Sequence, residues 1–404
     1  MSAPPLVIVG IGADGWVGLG EAARSAVLAA EVIVGSKRHL ALLPETPALR
    51  RPWPSPIDSL LEELVTSDGT RTCVLASGDP MLHGVGATLA RRLGADRLQV
   101  HPHPSALAFA CARLGWPEAD VELVSAVGRP PEVIARALQP GRRVIAYASG
   151  TAGAGELAAV LCARGFGPSR MVVMEQLGGP GERLIEGTAE TWGERPADAL
   201  HAVAFECRAP VGGAWLPRTA GLPDDAYEHD GQITKRAIRA VTLAALAPAP
   251  GQLLWDVGAG SGSIGIEWLR AEPSARAIAV EARADRAQRA RQNARALGVP
   301  QLDVREGRAP DVLDGLNRPD AIFVGGGVTE PGMLDRCWDA LRAGGRLVAN
   351  AVTLEGEQLL VAACARRGGE LMRLEVSHAE PLGGYRAWRP QLPIVQWSIA
   401  KESA

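Results

Sequence analysis

The feature that most constrains the fold is a regular alternation of two kinds of segment. Short apolar runs rich in β-branched residues, such as LVIVGIG (6–12) and RVIAYASG (143–150), are separated by Ala- and Leu-rich stretches with helical spacing. When strands and helices alternate along a chain, each helix usually connects two strands that lie parallel in the same sheet. The alternation therefore predicts α/β domains built on parallel sheets.

The alternation is interrupted once, and this interruption predicts a domain boundary. At about 150 residues per domain, 404 residues favour two or three domains. The segment CRAPVGGAWLPRTAGLPDD, which starts at residue 207, is rich in proline and glycine and has no apolar period. We therefore predict a first domain at 1–206, a linker at 207–224 and a second domain at 225–404.

The second domain has a more specific pattern. Five strand-like runs alternate with helices from LLWDVGAG to GRLVANAV, and a final pair follows near LMRLEVSHA and PIVQWSIA. Five parallel strands closed by an antiparallel pair is the seven-stranded order of Rossmann-like class I methyltransferases. We expect that fold here, with Trp255 and Trp268 in the core.

Composition and charge exclude several functional classes. The net charge is −3, so no bulk basic field attracts nucleic acid or an anionic membrane. The sequence contains no run of 18 apolar residues, so we expect no membrane span, and the N-terminus does not resemble a signal peptide. Six scattered cysteines without a C-x-x-C pair disfavour both a disulfide framework and a zinc site. We expect a cytoplasmic protein that holds no metal.

The segment LLWDVGAGSGSIGIEW (253–268) predicts a ligand-binding loop between a strand and a helix. Gly258, Gly260 and Gly262 permit tight turns and close approach of a ligand, and the helix N-terminus offers free N–H groups. Asp256 at the strand end suits an ammonium group, and Glu281 at the end of the next strand can accept hydrogen bonds from ribose hydroxyls. S-adenosylmethionine has both an ammonium group and a ribose, so one carboxylate for each fits this cofactor better than it fits NAD.

Two other functions remain open at this level. GSGSIG (260–265) and GIGADG (10–15) both match the dinucleotide pattern G-x-G-x-x-G, which allows an NAD(P)-dependent oxidoreductase. Taken alone, the glycines of the loop at 10–15 are better explained as ordinary turn residues at the end of a strand. The remaining alternative is a non-catalytic carrier with vestigial cofactor loops.

About residues 225–400 resemble a known family through DGQITKRAIRAVTLAAL, WDVGAGSGSIGIEW, VEARADR, EGRAPDVL and VANAVTLE. They are similar to the decarboxylating C15-methyltransferases that act on precorrin or cobalt-precorrin in vitamin B12 biosynthesis. The Q-I-T-K-R-x-I-R element is the most specific part. The resemblance implies S-adenosylmethionine binding through Thr234, Asp256, Gly258, Ala259, Gly260, Ser261, Gly262, Glu281 and Ala309.

The first half resembles the two-lobed tetrapyrrole methylases, and the C5-methyltransferase subfamily in particular. VIVGIGADG, ASGDPMLHGVG and HPHPSALAFACARLGWPEADVELVSAVGR carry this resemblance. The usual G-P-G-D loop is here G-A-D-G, and Pro102-His103-Pro104-Ser105 replaces the usual P-G-[IV]-[ST] turn. The resemblance implies a second S-adenosylmethionine site formed by Gly12, Gly78, Asp79, Leu82, Ser105, Ala106 and Ala148.

The order of the halves is similar to the fused C5,15-methyltransferases (decarboxylating). That resemblance implies methylation of precorrin-6B at C5 and C15 with loss of the C12 acetate carboxyl, giving precorrin-8, in a homo-oligomer. A carboxylate-rich tetrapyrrole calls for cationic contacts, for which the candidates are Arg129, His103, Lys235, Arg236 and Arg239. The catalytic candidates are His83 in the G-D-P loop and Asn350 after a strand of the second domain.

Overall fold

The structure is a computed structural model that describes residues 5–66, 69–209 and 215–402. These residues divide into two compact units. The first contains the residues before Glu132 and those from Pro140 to 209, and the second contains Glu132–Gln139 and 215–402. Part of the predicted linker, 210–214, lies outside the described residues. Within the described ranges, every helix is too short or too polar to cross a bilayer.

The first unit begins with a five-stranded sheet in the order β3-β2-β4-β1-β5, in which all neighbours are parallel. The central strands β1 and β4 are almost wholly buried, which fits their continuous apolar sequences. The strands are β1 Leu6–Ile11, β2 Val32–Gly35, β3 Leu49–Pro52, β4 Thr72–Ser77 and β5 Leu98–His101. The helices are α1 Gly15–Gly18, α2 Glu21–Leu28, α3 Lys37–Ala41, α4 Asp58–Thr66 and α5 Val85–Leu93.

The second sheet of this unit has the order β6-β7-β10-β8-β9. Its strands are β6 Val121–Ser125, β7 Arg143–Tyr147, β8 Arg170–Glu175, β9 Arg183–Thr188 and β10 His201–Glu206, accompanied by α6 Ala106–Leu114, α7 Gly153–Ala163 and α8 Ala189–Trp192. Strand β10 lies between β7 and β8 and is antiparallel to both. The prediction of parallel sheets is therefore wrong here, because a buried apolar run carries no signal of strand direction.

The second unit has a seven-stranded sheet in the order β13-β12-β11-β14-β15-β19-β16, in which β19 is antiparallel to both of its neighbours, β15 and β16. This confirms the Rossmann-like fold. Its strands are β11 Leu253–Val257, β12 Arg276–Glu281, β13 Asp303–Glu306, β14 Ala321–Val324, β15 Arg346–Ala351, β16 Glu370–Leu374, β17 Ser377–Leu382, β18 Tyr385–Pro390 and β19 Ile394–Ala400. Its helices are α9 Arg236–Leu246, α10 Ser263–Ala271, α11 Ala284–Ala296, α12 Met333–Ala340 and α13 Leu354–Arg367.

The two faces of the seven-stranded sheet are covered by separate hydrophobic cores, with Trp268 in one and Trp255 in the other. This confirms that both tryptophans are core residues. Strands β17 and β18 form an antiparallel hairpin that the sequence pattern did not predict. None of the residues of these two strands is buried, so apolar periodicity gives no signal for the hairpin.

The residues just before 225 pack on the second unit. Leu222 is buried in the core that contains Trp268. The amides of Gly221 and Leu222 donate to the two carboxylate oxygens of Glu267 on α10, at 2.6 and 3.0 Å. The end of the predicted linker is therefore part of the structure of this unit.

Candidate active sites

The second unit contains a cavity of about 710 Å³, here called the second cavity, at the carboxyl ends of its parallel strands. Loops that follow parallel strands converge at this edge, which is where α/β sheets bind ligands. Its wall includes segments that follow β11, β12, β13 and β14. The wall brings together these candidates from the sequence: Thr234, Lys235, Gly258, Ala259, Gly260, Glu281, Ala309 and Asn350.

The glycine loop after β11 is shaped by a close backbone contact at Gly258. This residue has φ of +72°, a region that residues with a Cβ rarely adopt. A Cβ at 258 would lie 2.7 Å from the backbone nitrogen of Gly326, in the segment after β14. The loops that follow β11 and β14 therefore pack backbone to backbone in the cavity wall.

Glu281 ends β12 and is buried, although its side chain reaches the cavity wall. Its Oε2 accepts a hydrogen bond from the Gly260 amide at 2.8 Å, and its Oε1 accepts one from the Arg283 amide at 2.9 Å. Because each carboxylate oxygen has two lone pairs, each can accept one more bond. The site therefore offers a fixed acceptor to a ligand with hydroxyl groups.

Asp256 is not in the cavity wall. Its carboxyl group is buried, and its Oδ2 accepts a hydrogen bond from the Gly265 amide at 2.8 Å, inside the first turn of α10. Its Oδ1 has no partner among the described residues. Burial, followed by the charge of Glu281, raises the pKa of Asp256 to about 7. Ser261 and Gly262 also lie outside the cavity wall.

The basic candidates near the start of α9 occupy different environments. Lys235 is in the cavity wall. Arg236 donates from Nε to a backbone carbonyl of the preceding loop at 2.8 Å. Arg239 is fully buried, with its Nε 2.6 Å from Oε1 of Glu267 and its Nη2 3.1 Å from Oδ1 of Asp224. The structure therefore does not place Arg236 or Arg239 in the cavity wall.

Asn350 is held by a closed hydrogen-bond network. The Thr242 hydroxyl donates its only proton to the Ile238 carbonyl at 2.8 Å, so its oxygen accepts from both Nδ2 of Asn350 and Nε2 of Gln396, at 3.0 and 3.1 Å. The same Nε2 donates to Oδ1 of Asn350 at 2.9 Å. Reversing the Asn350 amide would place acceptor against acceptor and donor against donor. The network thus fixes its orientation and leaves one Nδ2–H outside these contacts.

The sequence analysis missed two arginines in this wall, Arg286 and Arg308. Nε of Arg286 lies 2.9 Å from Oδ2 of Asp230, and Nη2 of Arg308 lies 2.7 Å from Oε1 of Glu330. The glycine run 325–327 was also missed as a site element, although three consecutive glycines directly after a strand are a usable signal. The arginines had no such signal, because the chain is rich in arginine throughout.

The first unit has a cavity of about 410 Å³, here called the first cavity. Loops after β1, β4, β5 and β7 contribute to its wall. Ser105 caps α6 by accepting from the Ala108 amide at 3.1 Å, and Oδ1 of Asp79 accepts from the Met81 amide at 2.8 Å. The wall brings together these candidates from the sequence: Gly12, Gly78, Asp79, Leu82, His83, Ser105, Ala106 and Ala148.

His83 has an unusual backbone conformation for a residue other than glycine, with φ of +54°. Its ring is edge-on to Tyr147, with the ring centroids 6.3 Å apart. Burial, followed by the charge of Arg129, lowers the pKa of His83. The side chain is therefore a neutral imidazole in the wall at neutral pH, able to accept or donate a hydrogen bond.

Two other candidates in this unit do not line the first cavity. His103 is buried, with Nε2 3.2 Å from Oδ2 of Asp14 and Nδ1 3.0 Å from the Pro104 carbonyl. It packs beneath the first glycine loop, since a Cβ on Gly12 would meet its ring at 2.5 Å. Arg129 acts on His83 through its charge but is not in the wall.

The sequence analysis also missed polar and aromatic residues of this wall. They include Arg38, His39, Trp53, Tyr147 and His201. Tyr147 has a clear role, because its hydroxyl accepts from the Leu107 amide at 3.0 Å and so braces the start of α6. No motif marks these residues, which lie far apart in the chain and meet only in the folded unit.

Comparisons with known proteins separate the same two halves. A family model described as tetrapyrrole (corrin/porphyrin) methylases matches residues 5–192, and one described as a precorrin methyltransferase domain matches 225–401. A Salmonella typhimurium relative, a cobalt-precorrin-7 C(5)-methyltransferase, is 34% identical over 44% of this chain and 88% of its own length.

Two other relatives are similar over almost the whole chain, and both are precorrin-6Y C(5,15)-methyltransferases (decarboxylating). The relative from Mycobacterium tuberculosis strain H37Rv is 48% identical, with 98% of this chain and 100% of the relative covered. The Sinorhizobium relative is 46% identical, with 98% of this chain and 97% of the relative covered. These matches confirm the resemblance that the motifs indicated, and the chain belongs to the family of decarboxylating precorrin-6Y C(5,15)-methyltransferases.

Proposed function

We propose that this protein is a bifunctional S-adenosylmethionine-dependent methyltransferase of cobalamin biosynthesis. The first unit would methylate precorrin-6B at C5, and the second would methylate C15 and remove the carboxyl group of the C12 acetate, giving precorrin-8. The observation that carries the proposal is the presence of two cavities with glycine loops, one in each unit, whose sequences match different methyltransferase models. The half-length C(5) relative supports a separate C5 module.

The second cavity suits the cofactor for two reasons. Gly258 lets the glycine loop pack against the Gly326 backbone in the cavity wall, where a Cβ would lie 2.7 Å from the backbone nitrogen, and Glu281 presents acceptors to a ribose. Asp256 is more remote, and its role would be to order the first turn of α10 through the Gly265 amide. Family membership also favours methyl transfer over the oxidoreductase and carrier alternatives.

The reaction requires alignment more than acid–base chemistry. S-adenosylmethionine supplies an activated methyl group, and the meso carbons of a reduced tetrapyrrole are enamine-like nucleophiles. The protein would hold donor and acceptor in line and exclude water, an effect worth about 7–11 kcal/mol in favourable cases. His83 would face the macrocycle in the first cavity and Asn350 in the second. For carbon dioxide loss, the electron pair of the broken carbon–carbon bond would pass into the macrocycle once a ring position is protonated or conjugated, while Lys235 and the wall near Asn350 would hold the acetate in a partly desolvated position.

The decisive experiment measures the products made from precorrin-6B. The purified full chain is incubated with precorrin-6B and methyl-labelled S-adenosylmethionine, and the product is analysed by mass spectrometry. We expect two added methyl groups and one lost carboxyl group. Binding of the tetrapyrrole without methyl transfer would support the carrier alternative, and a redox change with NAD(P) would support the oxidoreductase alternative.

We infer that segments 1–206 and 215–404 fold independently, although Glu132–Gln139 of the second unit stays in segment 1–206, and that decarboxylation belongs to 215–404. The useful fragment starts at 215, not 225, because Gly221 and Leu222 supply the hydrogen bonds of buried Glu267. Fragment 215–404 is expected to add one methyl group and release carbon dioxide. Methylation without carbon dioxide release, even with fragment 1–206 present, would contradict the assignment.

The change Glu281→Ala is expected to weaken cofactor binding at the second site only. Each charge-assisted hydrogen bond contributes at most about 1.5–3 kcal/mol, and less where water substitutes. Two-site calorimetry on the full chain should give a stoichiometry near two before the change and one weakened site after it. Glu306→Ala is the control, since Glu306 is the exposed neighbour of Glu281 on β13. Unchanged affinity would mean that Glu281 only holds the loop.

The change Thr242→Val is expected to lower kcat of the second activity about tenfold, the effect of losing roughly one hydrogen bond. Valine keeps the volume of Thr242 but removes the oxygen that orients Asn350. Thr242→Ser keeps the hydroxyl and should retain most of the activity. In an Asn350→Ala background, Thr242→Val should have little further effect. Additive losses would show that Thr242 does not act through Asn350.

A further inference from the structure

Arg38 differs from the other arginines of the two cavities in its electrostatic partners. It follows Ser36, the N-cap of α3, and its side chain reaches the wall of the first cavity. Its Nη2 donates to Nε2 of His39 at 2.8 Å and to Oγ of Ser77 at 3.2 Å. Neither partner is a carboxylate, and the described residues place no carboxylate oxygen within 4.0 Å of its nitrogens.

His39 orients the guanidinium without neutralising it. A guanidinium can only donate hydrogen bonds, so Nε2 of His39 must be the acceptor and the ring must be neutral. The ring is buried, and its burial and the charge of Arg38 lower the pKa of His39 to about 4. At neutral pH the pair therefore retains one full positive charge.

This positive charge is partly desolvated. Burial is the cause that lowers the pKa of Arg38, which means that its charged form is less well solvated here than in water. In the second cavity, by contrast, Arg286 and Arg308 each have an acidic partner within the unit. A partly buried charge with no counter-ion is stabilised when a bound anion supplies one.

We propose that Arg38 is a carboxylate-binding residue of the first cavity. This proposal rests on the proposed function. The Arg38 guanidinium has five N–H groups. Two of them donate to His39 and Ser77, and the other three make no hydrogen bond to the described residues. The carboxylate comes either from the methionyl part of the cofactor or from an acetate or propionate of the tetrapyrrole. Both sources present the same planar anion, for which a guanidinium is the best match.

The test uses the full chain and the changes Arg38→Met and Arg38→Lys. Binding of S-adenosylhomocysteine, which carries the carboxylate, is compared with binding of 5′-methylthioadenosine, which lacks it. The KM for the tetrapyrrole is measured in parallel. If the carboxylate is the cofactor's, Arg38→Met weakens S-adenosylhomocysteine at one of the two sites by about 10- to 100-fold and leaves methylthioadenosine unchanged. If it is the tetrapyrrole's, both nucleosides bind normally and the KM rises by a similar factor.

The control is Arg71→Met, since Arg71 is an exposed arginine of the same unit and pairs with Glu31. It should change none of these values. The cofactor site of the second unit serves as an internal control for folding. If Arg38→Met does not fold, Arg38→Lys still tests the proposal. The lysine ammonium keeps the charge but cannot donate two parallel hydrogen bonds to a carboxylate, so affinity for the carboxylate-bearing ligand should fall in part. Unchanged nucleoside binding and KM in a folded variant would overturn the proposal. An absence of methyl transfer by the unaltered chain would instead refute the proposed function.

Discussion

Replacing Arg239 by alanine is expected to destabilise the second unit by about 3–5 kcal/mol, the usual effect of removing one member of a buried ion pair. Arg239 is fully buried between Glu267 and Asp224, and its side chain also donates to the carbonyls of Thr234 and Leu222. Without it, the Glu267 carboxylate remains buried with no cation beside it. Denaturant unfolding of fragment 215–404 should show this loss directly.

Arg236→Ala is the matched control for this prediction. Arg236 lies one turn earlier on the same helix, is exposed and makes one hydrogen bond to a backbone carbonyl. Its replacement is expected to change stability by less than about 1 kcal/mol. If Arg239→Ala leaves stability unchanged but raises the KM for the tetrapyrrole, Arg239 binds substrate, as its position in the sequence first suggested.

Replacing Asp256 by asparagine is expected to remove a pH dependence of stability. Burial raises the pKa of Asp256 to about 7 in the folded chain, above its unfolded value. The folded state therefore binds the proton more tightly, and this group makes folding less favourable as pH rises from about 4 to about 7. The accumulated loss is roughly 4 kcal/mol, at about 1.4 kcal/mol per pKa unit. Above the folded pKa the loss is complete and constant.

The measurement is peptide-resolved hydrogen exchange or denaturant unfolding between pH 5 and pH 8. Asparagine keeps an oxygen for the Gly265 amide but does not titrate, so the variant should gain stability relative to the unaltered chain as pH rises. Asp230→Asn is the control. The pKa of Asp230 is lowered to about 2 through its bond with Arg286, so Asp230 is ionised throughout this range. A parallel pH dependence in both Asp256 forms would show that this carboxyl is not protonated in the folded chain.

Local sequence determined much of the fold. Alternating apolar runs and helical stretches located β1, β7, β11 and β15, because a buried strand is apolar on both faces and an amphipathic helix repeats every 3.6 residues. The number and type of segments in the second unit also indicated its seven-stranded Rossmann-like fold. Strand direction could not be read from the sequence: the alternation predicted parallel sheets, but β10 lies antiparallel between β7 and β8.

Sequence also located the glycine loops and Glu281, since a turn with positive φ needs glycine and a strand end places a carboxylate at the sheet edge. Only the tertiary structure decided which charged side chains reach the cavities. Lys235 and Arg239 are four residues apart on one segment, yet one lines a cavity and the other is buried against Glu267. Sequence analysis named Asn350 but not Arg38 or the Thr242 and Gln396 contacts that orient Asn350, because these contacts join distant segments. Periodicity reports which face of an element is buried, whereas a side chain's charge partner depends on which other elements fold against that face.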